Sequence, residues 1–122
     1  MDLNQITSEI ISCSIEVHKN LGPGLLEKIY EKALCIEFER KGLKFEQQKR
    51  IPVYYKNQDI GEDILDLVVE NSIVVELKST EMDNPLYHAQ VMSYMKLGNY
   101  KLGLLINFNR ELLKKGIKRF IL

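Results

Sequence analysis

Leu65-Asp66-Leu67-Val68-Val69-Glu70-Asn71-Ser72-Ile73-Val74-Val75-Glu76-Leu77-Lys78 is the stretch that decides the fold. Two runs rich in Val, Ile and Leu flank a short polar loop, the pattern of a β-hairpin. With Glu70-Asn71-Ser72 as a three-residue loop, Val69 pairs with Ile73 and Asp66 lies opposite Glu76. Asn71 tolerates the left-handed backbone that such loops need. Side chains alternate along a strand, so Val74, Glu76 and Lys78 share one face while Val75 and Leu77 pack on the other. Charges in such an apolar setting are costly unless paired or bound to a metal. Facing carboxylates repel; a divalent cation between them removes the repulsion and takes hard oxygen ligands. Lys78 is then placed to stabilise an attacking hydroxide or a phosphate oxygen. A two-residue loop would send Asp66 to the other face. An Asp–Lys or Glu–Lys pair on a half-exposed sheet is the competing reading.

Working outward, residues 44–56 end in Ile51-Pro52-Val53-Tyr54-Tyr55, and Pro52 predicts an edge strand or a bulge. Asn57-Gln58-Asp59 reads as the turn into a strand from Ile60 to Val69. On the amino-terminal side, Leu3, Ile6, Ile10, Cys13, Val17 and Leu21 form one helical stripe. Gly22-Pro23-Gly24 breaks it. Leu26, Ile29, Tyr30, Ala33, Leu34 and Phe38 form a second stripe, which Gly42 closes as a C-terminal cap. Beyond the hairpin, Asn84-Pro85 starts a helix that stops at Gly98-Asn99. Strands follow at 101–108 and 117–122. The order α-α-β-β-β-α-β-β predicts helices flanking a mixed sheet, in one domain spanning residues 1–122.

The chain has 122 residues, 45% of them hydrophobic and 28% charged, which is ordinary for a globular protein. No apolar run approaches the roughly 20 residues that span a bilayer. The first residues lack the basic and apolar segments of a secretory signal. Cys13 and Cys35 fall in helical stretches and read as free thiols of a reducing compartment, so a cytoplasmic location is expected. The net charge of zero argues mildly against nucleic-acid binding, but the distribution does not. Residues 59–83 carry eight acids and one base, Lys78; residues 96–122 carry seven bases and one acid, Glu111. An acidic middle beside basic ground suits a cation site next to phosphate-binding surface; an ordinary solvated surface is the alternative.

Asp66, nine residues, then Glu76-Leu77-Lys78 resembles the signature of PD-(D/E)XK nucleases. Gln90-Val91-Met92-Ser93-Tyr94, on the helix after the Glu-x-Lys strand, resembles the Gln-x-x-x-Tyr motif of RecB-type members. Gly24-Leu25-Leu26-Glu27-Lys28-Ile29-Tyr30 resembles the segment that names the GxxExxY (or GxxExxR) proteins of that superfamily. Gly61-Glu62, Val74-Val75-Glu76-Leu77-Lys78, His88-Ala89-Gln90 and Leu104-Leu105-Ile106-Asn107-Phe108 extend the likeness over nearly the whole chain. It departs in two places. Ile64 stands where a basic residue is frequent, removing one phosphate contact, and Leu65 stands where proline often precedes the aspartate.

The resemblance implies an αβββαβ core, α+β in class. It implies a Mg²⁺- or Mn²⁺-dependent nuclease in which Asp66, Glu76 and the Leu77 carbonyl hold the cation. Glu27 would bind a second ion or its water, Lys78 would position the attacking water, and Gln90 would orient these ligands. Nucleic acid, with DNA favoured, is the expected substrate. A catalytically silent nucleic-acid- or protein-binding module on the same fold is the second reading. A third is a subunit whose groove a homodimer or a partner protein completes. By pattern alone, Glu27 could equally be a rim residue and Tyr94 a core residue. His18 and His88 lack metal-ligand spacing and read as structural.

Overall fold

The computed structural model describes all 122 residues. The first helix, α1 (Leu3–Leu21), begins in a capping box: Asp2 accepts from the Gln5 N–H at 2.8 Å and Gln5 accepts from the Asp2 N–H at 2.9 Å. Its buried stripe is Ile6, Ile10, Cys13 and Val17, as the spacing predicts, while Leu21 at its end is exposed. Helix α2 (Glu27–Lys41) ends where Gly42 takes φ +73, a left-handed cap that favours glycine. It buries Tyr30, Leu34, Cys35 and Phe38. Leu26 and Ile29, expected on that stripe, are exposed.

Five strands follow: β1 (Phe45–Tyr55), β2 (Gln58–Val69), β3 (Ile73–Lys78), β4 (Leu102–Asn107) and β5 (Ile117–Ile121). They form one sheet in the order β1-β2-β3-β4-β5. Only β3 and β4 run parallel, and α3 (Pro85–Gly98) makes the crossover between them. A 3₁₀ turn, Leu113–Gly116, joins β4 to β5. β1 is one of the two edge strands, with a register shift between Val53 and Tyr54, close to Pro52. The β1–β2 turn is Lys56-Asn57, both at positive φ, rather than Asn57-Gln58-Asp59. Two left-handed residues in a row make the tight hairpin turn that matches strand twist, so Gln58 and Asp59 stay paired.

The sheet is packed on both faces. One apolar cluster joins α1 and α2 to Leu67, Val69, Val75, Leu77, Leu104 and Ile106. The other joins α3 to Ile51, Leu65, Val68, Val74 and Leu105. This α/β/α layering around a mixed sheet is a PD-(D/E)XK-like core. Gly103 lets α3 approach β4: a Cβ there would lie 2.8 Å from both Val91 Cγ1 and Met95 Sδ. Gly103→Val is therefore expected to destabilise the fold by about 1–3 kcal/mol through overpacking, measured as a lower denaturant midpoint. Cys13 and Cys35 are free and buried, and burial pushes both thiols up to about 11.

Candidate active site

The β2–β3 ladder pairs Val69 with Ile73 and Val68 with Val74, and ends at Leu67 with Val75. The loop therefore has the three residues expected, with Glu70 and Asn71 both at φ +51. One step beyond the ladder, side chains replace the backbone pairing. Glu76 Oε1 accepts from the Asp66 N–H at 2.9 Å, and Asp66 Oδ2 accepts from the Leu77 N–H at 2.9 Å. The second oxygen of each carboxylate has no protein donor. No polar side-chain atom sealed from solvent lacks a partner, so Asp66 Oδ1 and Glu76 Oε2 both reach solvent. In an extended strand, the N–H and C=O of one residue point to the same edge. The Lys78 carbonyl accepts from Phe108 on the β4 side at 2.9 Å, so alternation turns the Leu77 carbonyl toward β2 and the two acids.

The strand β2 opens on its other side too. Its pairing with β1 skips Gln48 and Asp66, and Gln48 has φ +49. Leu67 packs on the α1/α2 face but Leu65 on the α3 face. Unbroken alternation would place them together, so the strand changes parity at Asp66. Here the regular hairpin expected from the sequence needs correction: Asp66 lies outside regular pairing on both sides.

Glu76 is 3% exposed. Burial, then the neighbouring Asp66 carboxylate, pushes its pKa from the ordinary 4.5 up to about 9, against the pull of the Asp66 N–H and of Lys78. Glu27 begins α2, half-buried, and its carboxyl is also raised, by burial first and by Asp66 second, with Lys78 opposing. The Asp66 carboxylate thus repels both Glu76 and Glu27. Two contacts bring Glu27 near it. Tyr30 donates to the Gly22 carbonyl at 2.6 Å, accepts from the Leu25 N–H at 3.1 Å, and stacks on Phe108 at 4.5 Å. Ser79, just past β3, donates to the Leu25 carbonyl. Removing the hydroxyl in Tyr30→Phe should cost about 1–2 kcal/mol by thermal unfolding, since it strips two partners from the loop that presents Glu27.

The sequence profile of the PD-(D/E)XK nuclease superfamily matches residues 4–120. The chain belongs to this superfamily. Its members are in general nucleases that use Mg²⁺ or Mn²⁺ on nucleic-acid substrates. No curated protein and no solved structure matches the chain significantly.

The other residues of the superfamily signature, Lys78 and Gln90, meet side chains of α3. Lys78 makes no ion pair with a carboxylate within 4.0 Å. Its Nζ lies 4.4 Å from the centre of the Tyr87 ring on α3. Gln90 is half-buried and donates to the Tyr94 hydroxyl at 2.9 Å. Burial and then the charge of Glu76 push the Tyr94 hydroxyl up to about 12. On α3, Leu86 and Leu97 are exposed, and the buried residues are Val91, Tyr94 and Met95. His18 bonds the Arg110 carbonyl at 2.7 Å and His88 sits 3.2 Å from Asp83, roles consistent with structural histidines. No three Asp, Glu, His or Cys side chains stand close enough together to hold a metal ion as placed.

Sequence reasoning missed Glu31. It is 5% exposed, one turn after Glu27, and accepts from Gln47 at 3.1 Å and Gln48 at 3.0 Å. The left-handed Gln48 backbone lets two successive side chains reach one carboxylate, which ties α2 to the strand segment opposite Asp66. The signal was present: Glu31 occupies an apolar stripe position three before Leu34, and two glutamines stand side by side.

Proposed function

We propose that this chain is a Mg²⁺- or Mn²⁺-dependent nuclease that hydrolyses phosphodiester bonds of nucleic acid, DNA foremost. The observation that carries the reading is the facing of Asp66 and Glu76, each bonded to a β2 or β3 amide and each keeping one free oxygen toward solvent. Hard, crowded carboxylate oxygens that burial and mutual repulsion make reluctant to lose their protons are the donor set a divalent cation stabilises. Asp66, Glu76 and the Leu77 carbonyl would hold it, and Glu27 would hold a second ion or a water. The bound cation would supply Lewis acidity that activates water and offsets charge on the phosphate.

The chain's own groups do the rest. Lys78 stabilises charge on the phosphate oxygens, with the Tyr87 ring steering its ammonium. Gln90, braced on Tyr94, orients the carboxylates or their water. Within the superfamily, the Gly24–Tyr30 segment supports placing the chain among the GxxExxY proteins, because Tyr30 clamps the glycine loop and so presents Glu27. The test is cleavage of labelled single- and double-stranded DNA and RNA with Mg²⁺ or Mn²⁺. Activity stopped by chelator and absent in Asp66→Asn is expected. Activity that survives Asp66→Asn would overturn the assignment.

One observation favours the silent-module reading: the Lys78 ammonium rests on Tyr87 and not on the acids. Binding of an oligonucleotide without cleavage under any metal, unaffected by Glu76→Gln, would establish it.

A further inference from the structure

Lys78 also borders a group of cations of which only Lys118 meets a carboxylate. A cleft of about 110 Å³ lies where α3, the end of β4 and the 3₁₀ turn meet. Lys78, Arg110, Lys115 and Lys118 line it, with Tyr87 and a single carboxylate, Asp83. That carboxylate is already engaged, by Lys118 at 3.2 Å and His88 at 3.2 Å. Arg110 is pinned: its Nη1 donates to the Thr80 carbonyl at 2.8 Å and the Asn109 carbonyl at 2.7 Å, leaving its other nitrogens without a protein acceptor. Lys115, like Lys78, has no carboxylate within 4.0 Å.

The fold holds these cations close together. A Cβ on Gly116 would fall 2.1 Å from the Asn107 carbonyl oxygen, so glycine alone lets the 3₁₀ turn lie against β4. Asn107 is the parallel partner of Lys78, and the segment carrying Lys115 and Lys118 is thereby fixed beside it. Concentrated like charge in a small cleft is unfavourable unless an anion shares it, and a fan of N–H donors matches phosphate oxygens.

We propose that this cleft is a phosphate subsite, in which Arg110, Lys115 and Lys118 hold a substrate phosphate neighbouring the one that Lys78 faces. The proposal rests on the nuclease reading for its substrate class. A terminal phosphomonoester and an internal diester share the required chemistry, and the test separates them.

The experiment measures anisotropy of a short single-stranded oligonucleotide, labelled at its 3′ end, against the full chain in chelator, so that no cleavage occurs. It uses 5′-phosphorylated and 5′-hydroxyl forms. Lys115→Ala/Lys118→Ala should weaken binding roughly tenfold and lower the salt slope by about 0.7 for each phosphate charge left unneutralised. An effect confined to the phosphorylated form assigns the terminal group; an equal effect on both assigns an internal phosphate. Lys115→Ala alone, at an exposed residue without an ion pair, should show a smaller loss and covers misfolding of the double variant. Unchanged affinity and slope in both variants, or no binding by the unaltered chain, overturns the subsite. Cleavage lost in Asp66→Asn alongside unchanged binding in the lysine variants refutes the subsite alone. Binding that needs the lysines, with no cleavage under any metal, refutes the nuclease reading alone.

Discussion

Lys78→Ala should lower metal-dependent cleavage by about 10²–10³-fold, the size of effect seen when one donor aimed at developing charge is removed. Its stability should change by only about 1 kcal/mol, because the substitution removes the ammonium's packing on the Tyr87 ring and a through-space pull on Glu76 and Glu27, but no ion pair. The diagnostic feature is a large kinetic loss beside a small thermodynamic one. Lys78 makes no ion pair with Asp66, Glu76 or Glu27 within 4.0 Å. A lysine that served the fold by neutralising those acids would show the reverse: marked destabilisation and a modest loss of rate. Cleavage assays and thermal unfolding of the same preparation distinguish the two outcomes.

Glu76→Gln should abolish metal-dependent cleavage and yet stabilise the metal-free protein. Glu76 is an acid whose folded value is raised well above its ordinary 4.5 by burial and by Asp66. For such a group the folded state binds the proton more tightly than the unfolded chain. Stability is therefore complete below the unfolded value and falls as pH rises through the window above it. The slope is at most about 1.4 kcal/mol per pH unit from this one group. Between about pH 5 and about pH 8 the metal-free chain should lose on the order of 2–4 kcal/mol. The glutamine keeps an oxygen for the Asp66 N–H, carries no charge, and should be nearly flat over the same range. Added Mg²⁺ should restore the unaltered chain at the upper end and leave the variant unmoved. Denaturant melts across the pH range measure both.

The hairpin at 65–78 was legible because its loop length sets the register, and a register sets which side chains meet. Val69 with Ile73 follows from three loop residues, and Asp66 opposite Glu76 follows from that. Alternation then failed at one place. The sequence carries no sign that β2 changes faces at Asp66, since Leu65 and Leu67 are equally apolar and only the packing of two clusters tells them apart. The direction of Lys78 was hidden for a similar reason: a strand pattern assigns a face, not a rotamer, and the aromatic ring that receives the ammonium comes from α3. Caps were legible, because Gly42, Asn84 and Asn99 act locally. The Lys56-Asn57 turn falls one residue earlier than the sequence suggests, because Asp59 is as turn-like in sequence as Asn57. Glu31 stood out on its apolar stripe, but its pairing with Gln47 and Gln48 was hidden because they lie across the fold.

Calorimetric titration of Mn²⁺ into the metal-free chain, run in two buffers of different ionisation enthalpy, tests the shared cation site most directly. Binding accompanied by release of a proton to the buffer, lost in Asp66→Asn and in Glu76→Gln, is the predicted result. Mn²⁺ binding of equal affinity in both variants, or no binding to the unaltered chain, would contradict it.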